Sequence, residues 1–590
     1  AFYGCHAGRI CFSFCWLFYF DNDPVFNGSL SGVADLSVSG TTTINASAMT
    51  TSGSQAYTGA ITTSVATTIT ASSLTTGSTF AVSANALTLA VNAITLGGNL
   101  SGTSTLSIAP NSLTRGIYLG SADNSVSTVL NLKTSDLAYL VDGFSAITIG
   151  GASYSGNISS RSNISFKDPT TFTSSGTFTL SHDLSAVNST NASFTIGGPL
   201  TWNGGNITTS SGIVSLNGDV TLGGSGVRTI TTSSGAVTIG ASSVNMLTGN
   251  NIDLTINSGS ANATINSTVS GVGTLTLGAY GQTGSFYILG DLGASAIATG
   301  TTAFDIYIGS APNLLSNIKI TVDNGYTAYL NGVLLGSAND WGSVQTYTSL
   351  GSLINGTNVL AVYGYDQGGI AAMQALLTYS NGTYAGSDTS WKVTLTDPTA
   401  NANWNNVGFD DSSWSNSQII GVYNSGPWGA KINNTQANWI WSSGADADNY
   451  NWFRYTFTTN SSGSSNNLSL SGNATFRNAG SLVFNSSGTA TIGGTLSAAT
   501  QSSVQLRGTF NVGGAVTVGA STTPITLAGN TTIATDTANS SAGANIAVNG
   551  TLNGAYTLSL NAKGGSIDFN KAVGGATALS SISINNAQTG

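Results

Sequence analysis

One five-residue phrase constrains this chain more than any other feature. It reads Ile94-Thr-Leu-Gly-Gly98, Ile147-Thr-Ile-Gly-Gly151, Phe194-Thr-Ile-Gly-Gly198, Val220-Thr-Leu-Gly-Gly224, Val237-Thr-Ile-Gly-Ala241 and Leu275-Thr-Leu-Gly-Ala279. After a gap it returns as Ala490-Thr-Ile-Gly-Gly494, Phe510-Asn-Val-Gly-Gly514 and Val516-Thr-Val-Gly-Ala520. Alternation of this kind places the two apolar side chains on one face of a strand and the polar residue between them on the other, and the glycines then permit a turn. A strand-plus-turn unit that recurs along a chain is the signature of a repeat architecture, in which each coil buries its apolar face against the next. The spacing is irregular, commonly about 17 to 26 residues, which fits coils of a β-helix with corners of variable length. The competing arrangement is a large antiparallel sandwich or a propeller.

Composition agrees. All 23 acids are Asp, Glu is absent, and only 6% of residues are charged. Glu, Lys and Arg furnish the surface of most soluble helices, so a helical fold is excluded. Disorder needs low hydrophobicity and high net charge, whereas 40% of these residues are hydrophobic and the net charge is −9 over 590 residues. Neither a basic nucleic-acid groove nor a polybasic membrane patch fits that balance. Asn, Ser and Thr at the turns are expected to form hydrogen-bonded ladders between coils.

Residues 1–28 differ from the rest. Cys5, Cys11 and Cys15 are the only cysteines, an odd number whose spacing, even with His6 beside Cys5, matches neither a zinc nor a haem motif. The apolar run Ile10 to Phe20 is too short to span a membrane. Phe12, Phe14, Trp16, Phe18 and Phe20 are therefore read as an aromatic strand that either caps the first coil or inserts into a neighbouring subunit.

A second shift occurs further on. Eight of the ten tryptophans fall between Trp341 and Trp452, and ten of the 23 Asp between Asp305 and Asp448. The expected organisation is an assembly segment over 1–28, β-helix repeats over 29–299, an inserted domain over 300–458 and further repeats over 459–590. Asn331-Gly332 between alternating segments reads as a hairpin turn. No cofactor is expected, with Ca²⁺ at Asp446 and Asp448 the one opening for a metal. Asp-rich turns are more often only turns. Adjacent Asp410 and Asp411 point to opposite faces if they lie on a strand, and His182 stands beside Asp183 in a repeat loop. Neither arrangement builds a catalytic centre, so the chain is not expected to be an enzyme.

The stretches 44–72 and 526–590, with Gly53-Ser-Gln-Ala-Tyr57 and Val573-Gly-Gly575 followed by Ser580-Ser-Ile-Ser-Ile584, resemble bacterial filamentous-haemagglutinin-type adhesins and related autotransporter passengers. The segments Val322-Asp-Asn-Gly-Tyr-Thr-Ala-Tyr-Leu-Asn-Gly332, Leu353 to Val362, Phe409-Asp-Asp-Ser-Ser-Trp414, Gly426-Pro-Trp428 and Trp439-Ile-Trp441 resemble galactose-binding-like jelly rolls that accompany bacterial glycosidases. The resemblances imply an all-β chain, a right-handed parallel β-helix (β-solenoid) with an inserted antiparallel β-sandwich of jelly-roll type. They imply a secreted protein of the bacterial cell surface, with a sandwich of a kind that often has carbohydrate affinity. Sugars bind by laying apolar faces on aromatic rings and hydrogen-bonding their hydroxyls to Asp and Asn, so the candidate carbohydrate-binding residues under that resemblance are Trp341, Tyr365, Asp366 and Trp428, which fall near expected loops. The bland alternative for each tryptophan is that it is core. Asn585 to Gly590 reads as the middle of a coil, so continuation is expected, by a longer precursor or by end-to-end association. The leading functional expectation is a structural subunit of an extracellular filament, self-associating through stacked coils and N-terminal strand addition. The alternative is a monomeric adhesin whose sandwich binds glycans, and a polysaccharide-active enzyme ranks last.

Overall fold

The structure is a computed structural model and describes residues 17–186, 192–242, 244–309, 315–348, 350, 357–379, 383–400, 403–442, 450–459, 465–535 and 542–585. Cys5, His6, Cys11, Phe12, Phe14, Cys15, Trp16, Asp446 and Asp448 lie outside the described residues. The chain divides into two compact units, Ala1–Gly309 with Ser464–Gly590, and Ser310–Gly463.

The first unit is a parallel β-solenoid of about 24 turns in an all-β chain that is 2% helical. Through its regular part each coil supplies three short strands, and each strand pairs in parallel with the third strand after it. Ala146–Gly150 thus pairs with Thr170–Thr173, and that with Phe194–Ile196. The repeated phrase explains the pairing. In Phe194–Ile196, Val220–Leu222 and Val237–Ile239 the outer two residues are buried and the central Thr is half-buried. Stacking in register turns the inward positions into continuous apolar rows. One row runs Ile149, Phe172, Ile196, Leu216, Ile239, Ile265, Ile288 and Ile308. Each such side chain, fully withdrawn from water, contributes about 1.5–3 kcal/mol. The corner glycines serve close approach: a Cβ on Gly218 would meet the carbonyl of Gly198 in the coil before.

Outside the corners, Asx side chains bind one coil to the next. The Asn163 Oδ1 accepts the Asp183 N–H at 3.1 Å, and the Asp183 Oδ1 accepts the Asn206 N–H at 2.8 Å. Asp183 therefore sits in a structural ladder. Asp35, Asp253 and Asn262 do the same for Ser54, Thr274 and Ser285. A backbone donor that would otherwise need water is satisfied by the coil beneath it.

The solenoid starts within the segment assigned to assembly. Strand Leu17–Phe20 pairs with Asp35–Val38, setting Phe18 on Leu36 and Phe20 on Val38, and both rings pack on the core. Val25–Phe26 likewise pairs with Thr42–Ile44. The solenoid also runs to Gly309, past the expected boundary at 300, since Ile306–Gly309 pairs with both Phe286–Ile288 and Ser481–Asn485. Its ladder then passes over the insertion without a change of register. Leu292 pairs with Leu468, Ile297 with Ala474 and Ile308 with Phe484. The Asx ladder passes over too, since Asp291 Oδ1 accepts the Asn467 N–H at 2.7 Å.

The second unit consists of two antiparallel sheets. One runs in the order Gln345–Tyr347, Leu315–Asp323, Ala372–Tyr379, Trp439–Trp441, Gln418–Gly421. The other runs Val333–Ala338, Gly325–Leu330, Thr357–Tyr365, Tyr450–Thr458, Lys392–Thr394, Ser415–Asn416. Ile318, Ile320 and Val322 of the first share one core with Ala328, Leu330, Leu360 and Phe453 of the second, together with buried Trp391 and Trp441. The hairpin turn at Asn331-Gly332 forms as the sequence indicates, both residues having positive φ. No helix among the described residues is long and apolar enough to cross a membrane.

Candidate functional site

Three of the four sequence-selected residues of the sandwich come together around a carboxylate that the sequence did not single out. Asp323 ends strand Leu315–Asp323, and its Oδ2 accepts the Trp428 indole N–H at 2.7 Å. Trp428 stacks on Trp439 with centroids 5.2 Å apart, and Trp341 packs beside both. Asp366, at the end of strand Thr357–Tyr365, accepts the Gly368 N–H at 2.9 Å. Burial, and secondarily the Asp366 carboxylate, push the Asp323 carboxyl above its ordinary range against the opposing Trp428 hydrogen bond. Tyr365 does not join them; its ring lies 6.1 Å from Tyr363, and its carbonyl accepts the Asn324 N–H.

This cluster is packed rather than open. Trp428 is 5% exposed and Asp366 9%. Trp341 is half-buried, with the Lys431 ammonium 4.6 Å from its ring centroid. A sugar would have to displace that cation to reach the ring.

The open surface of the sandwich lies elsewhere, on the loop 403–410. Here a recess of about 680 Å³ is lined by Asn403, Asn406, Val407, Gly408, Phe409 and Asp410. Its floor is held by Arg454, which is 2% exposed. The guanidinium donates from Nε to Asp411 Oδ2 at 2.8 Å, from Nη1 to the Trp404 carbonyl, and from Nη1 and Nη2 to the Asn406 carbonyl at 3.3 Å. It also lies 5.0 Å from the Phe409 ring centroid. Trp404 stacks on Trp414, with Phe409 edge-on to Trp414 at 5.9 Å. Asn406 donates from its backbone to the Asn403 carbonyl and from its side chain to the Asn403 Oδ1. Asp410 is held below the usual carboxylate range by hydrogen bonds from Ser412. Asp410 and Asp411 thus have different tasks, one facing solvent and the other bound to Arg454.

Phe409-Asp-Asp-Ser-Ser-Trp414 was visible in the sequence as a motif, but nothing in it reveals that Arg454 gathers the loop from 43 residues away. Among the described residues no group of three or more His, Cys, Asp or Glu is placed to hold a metal.

No family model matches the chain, and no curated protein does. Among solved structures it is similar to the Pleurotus ostreatus lectin in its apo form, at 26% identity over 23% of this chain and 38% of the lectin, with a TM-score of 0.17. The same lectin in complex with GalNAc matches at 26% identity over 23% of this chain and 39% of the lectin, also with a TM-score of 0.17. The chain spans about two fifths of the lectin's own length.

Proposed function

We propose that the protein is a non-catalytic, extracellular saccharide-binding protein of the bacterial surface, a β-solenoid stalk carrying a galactose-binding-like β-sandwich. The observation that carries this reading is the 403–410 recess, which combines an aromatic ring, side-chain amides and an ionised carboxylate in about 680 Å³. That volume falls within the range of small-ligand sites. Asn403, Asn406 and Asp410 would meet the hydroxyls of a pyranose beside the exposed part of the Phe409 ring, whose other side is taken by Arg454 and Trp414. Three such hydrogen bonds at about 0.5–1.5 kcal/mol each sum to about 1.5–4.5 kcal/mol, which is millimolar affinity at best, that of a site that gains strength from multivalency. Asp411 is occupied by Arg454, so Asp410 has no second free carboxylate beside it for acid–base work.

A glycan array probed with the full chain tests the proposal. Binding is expected and should fall at least tenfold in Asp410→Ala and Asn406→Ala. An array with no bound glycan, or binding that both variants retain, overturns it.

The filament reading retains one supporting feature. Among the described residues, strand Ser581–Asn585 pairs on one side with Thr557–Asn561 and leaves Ile582 and Ile584 half exposed, a parallel edge of the kind on which a further coil stacks. Negative-stain microscopy separates fibres from single rods, and single rods at micromolar concentration would reject it.

A further inference from the structure

The flank of the solenoid carries a notch whose origin is a difference in corner length. In the coil before it, the corner from Val483 to Thr489 advances six residues. The residues that pair with those two, Gln505 and Thr509, are only four apart. On the next coil Thr526 and Thr532 are again six apart, and beyond them Asn553 and Ser559 also. The coil of Arg507 therefore cuts its corner two residues short between longer neighbours. Gly508, at φ +94°, makes the tight turn.

The result is a recess of about 480 Å³ with Gly508 and Thr509 at its floor. Ser487 stands on one side, and Ala528, Asn530 and Tyr556 on the other. Its chemistry is specific. Among the described residues the ion pairs are Lys133 with Asp136 and Arg454 with Asp411, so the Arg507 guanidinium faces the notch without a carboxylate. The side chain lies flat across Gly529, where a Cβ would come within 2.8 Å of its Cγ and 3.0 Å of its Nε. Tyr556 is 40% exposed on the wall.

We infer that this notch binds a carboxylated sugar, a uronate residue of an acidic saccharide. A planar guanidinium matches a carboxylate in a two-point hydrogen bond. The Tyr556 ring offers a face for the pyranose, and Thr509, Thr532 and Asn530 offer hydroxyl and amide partners. The site is distinct from the sandwich recess and stands whether or not that recess binds sugar. Because the chain carries a net charge of −9, attraction at the notch is short-ranged and depends on Arg507 itself rather than on a basic field.

Calorimetric titration of the full chain with trigalacturonate, and with its neutral methyl ester, tests this. Trigalacturonate should bind at least tenfold more tightly than the ester. Arg507→Gln and Tyr556→Ala should each lose at least tenfold. Gly529→Ala keeps the charge but displaces it and should weaken binding too, with melting curves confirming that all three variants fold. Asn406→Ala should bind trigalacturonate as the wild type does, which separates this site from the sandwich. Equal binding of acid and ester, unchanged binding in Arg507→Gln, or no binding by the wild type overturns the inference.

Discussion

Arg228 occupies a position that the repeat reserves for an apolar side chain, and replacing it tests how the solenoid tolerates a buried cation. It begins strand Arg228–Thr231, pairs with Leu254 of the next coil, and is 2% exposed. No carboxylate among the described residues pairs with it. Its Nε donates to the Trp202 carbonyl at 3.2 Å and its Nη2 to the carbonyls of Asn203, at 2.7 Å, and Gly223. Its Nη1 donates to Ser225, Gly226 and Val227 at 3.1–3.3 Å. The last three carbonyls belong to an exposed corner that water can rehydrate. In Arg228→Met the Trp202 carbonyl keeps the Gly223 N–H at 2.9 Å, so the penalty comes from the Asn203 and Gly223 carbonyls, each orphaned acceptor costing about 1–3 kcal/mol; because Asn203 is itself exposed, about 2 kcal/mol is the expected figure. Arg228→Lys has three donors on one atom in place of five on a fork, and should recover part of that. Because coils interact only with their neighbours, the loss is local. Hydrogen exchange of peptides covering 200–231 should quicken roughly thirtyfold in the Met variant, by less in the Lys variant, and not at all beyond a few coils. If Arg228→Met leaves these amides as protected as in the wild type, the carbonyl cage is not what holds this corner.

Two further outcomes follow. Deleting 310–464 should leave a folded solenoid with an unchanged β-type circular dichroism band per residue. Ile308 and Leu468 would then be joined by four residues, Gly309 and Ser465 to Asn467, one more than the corner Leu289 to Asp291 between their partners Ile288 and Leu292 one coil earlier; an aggregated product would show that the insertion is needed for folding. Asp168 tests pH dependence: burial first, and Asp142 next to it, push its carboxyl up to about 6, while Oδ1 accepts the Gly143 N–H and Oδ2 has no partner. The folded state therefore binds the proton more tightly than the unfolded state, and stability at this coil falls as pH rises from about 4 to 6. Asp168→Asn should remove that slope and stabilise the coil by about 1–2 kcal/mol at pH 7 after solvent screening, read by hydrogen exchange around 143–170; a slope that persists in the variant would assign it to another group.

How much of this was legible in the chain depends on the range of the interaction. The solenoid follows from residues adjacent in sequence: in Val220-Thr-Leu-Gly-Gly224 the alternation orients the side chains, and the glycines clear the corner. The Asx ladders were also expected from turn composition, although their direction, Oδ1 of one coil to the N–H of the next, needed the stack. Tryptophan clustering announced a different kind of core, yet it misdirected the search for a site. Trp428 is drawn inward because its N–H finds Asp323, and Trp341 is roofed by Lys431, contacts made across 105 and 90 residues. Arg228, Arg454 and Arg507 show the limit most clearly. All three are isolated cations in a chain with 6% charge, and the sequence gives no reason to separate them. Position on the stack separates them: Arg228 is closed over by its own corner, Arg454 is claimed by Asp411 and the 404–406 carbonyls, and Arg507 faces a corner two residues too short to cover it. In so sparsely charged a surface, a guanidinium at a notch is the feature with most to gain from an anionic ligand, since no carboxylate among the described residues pairs with it.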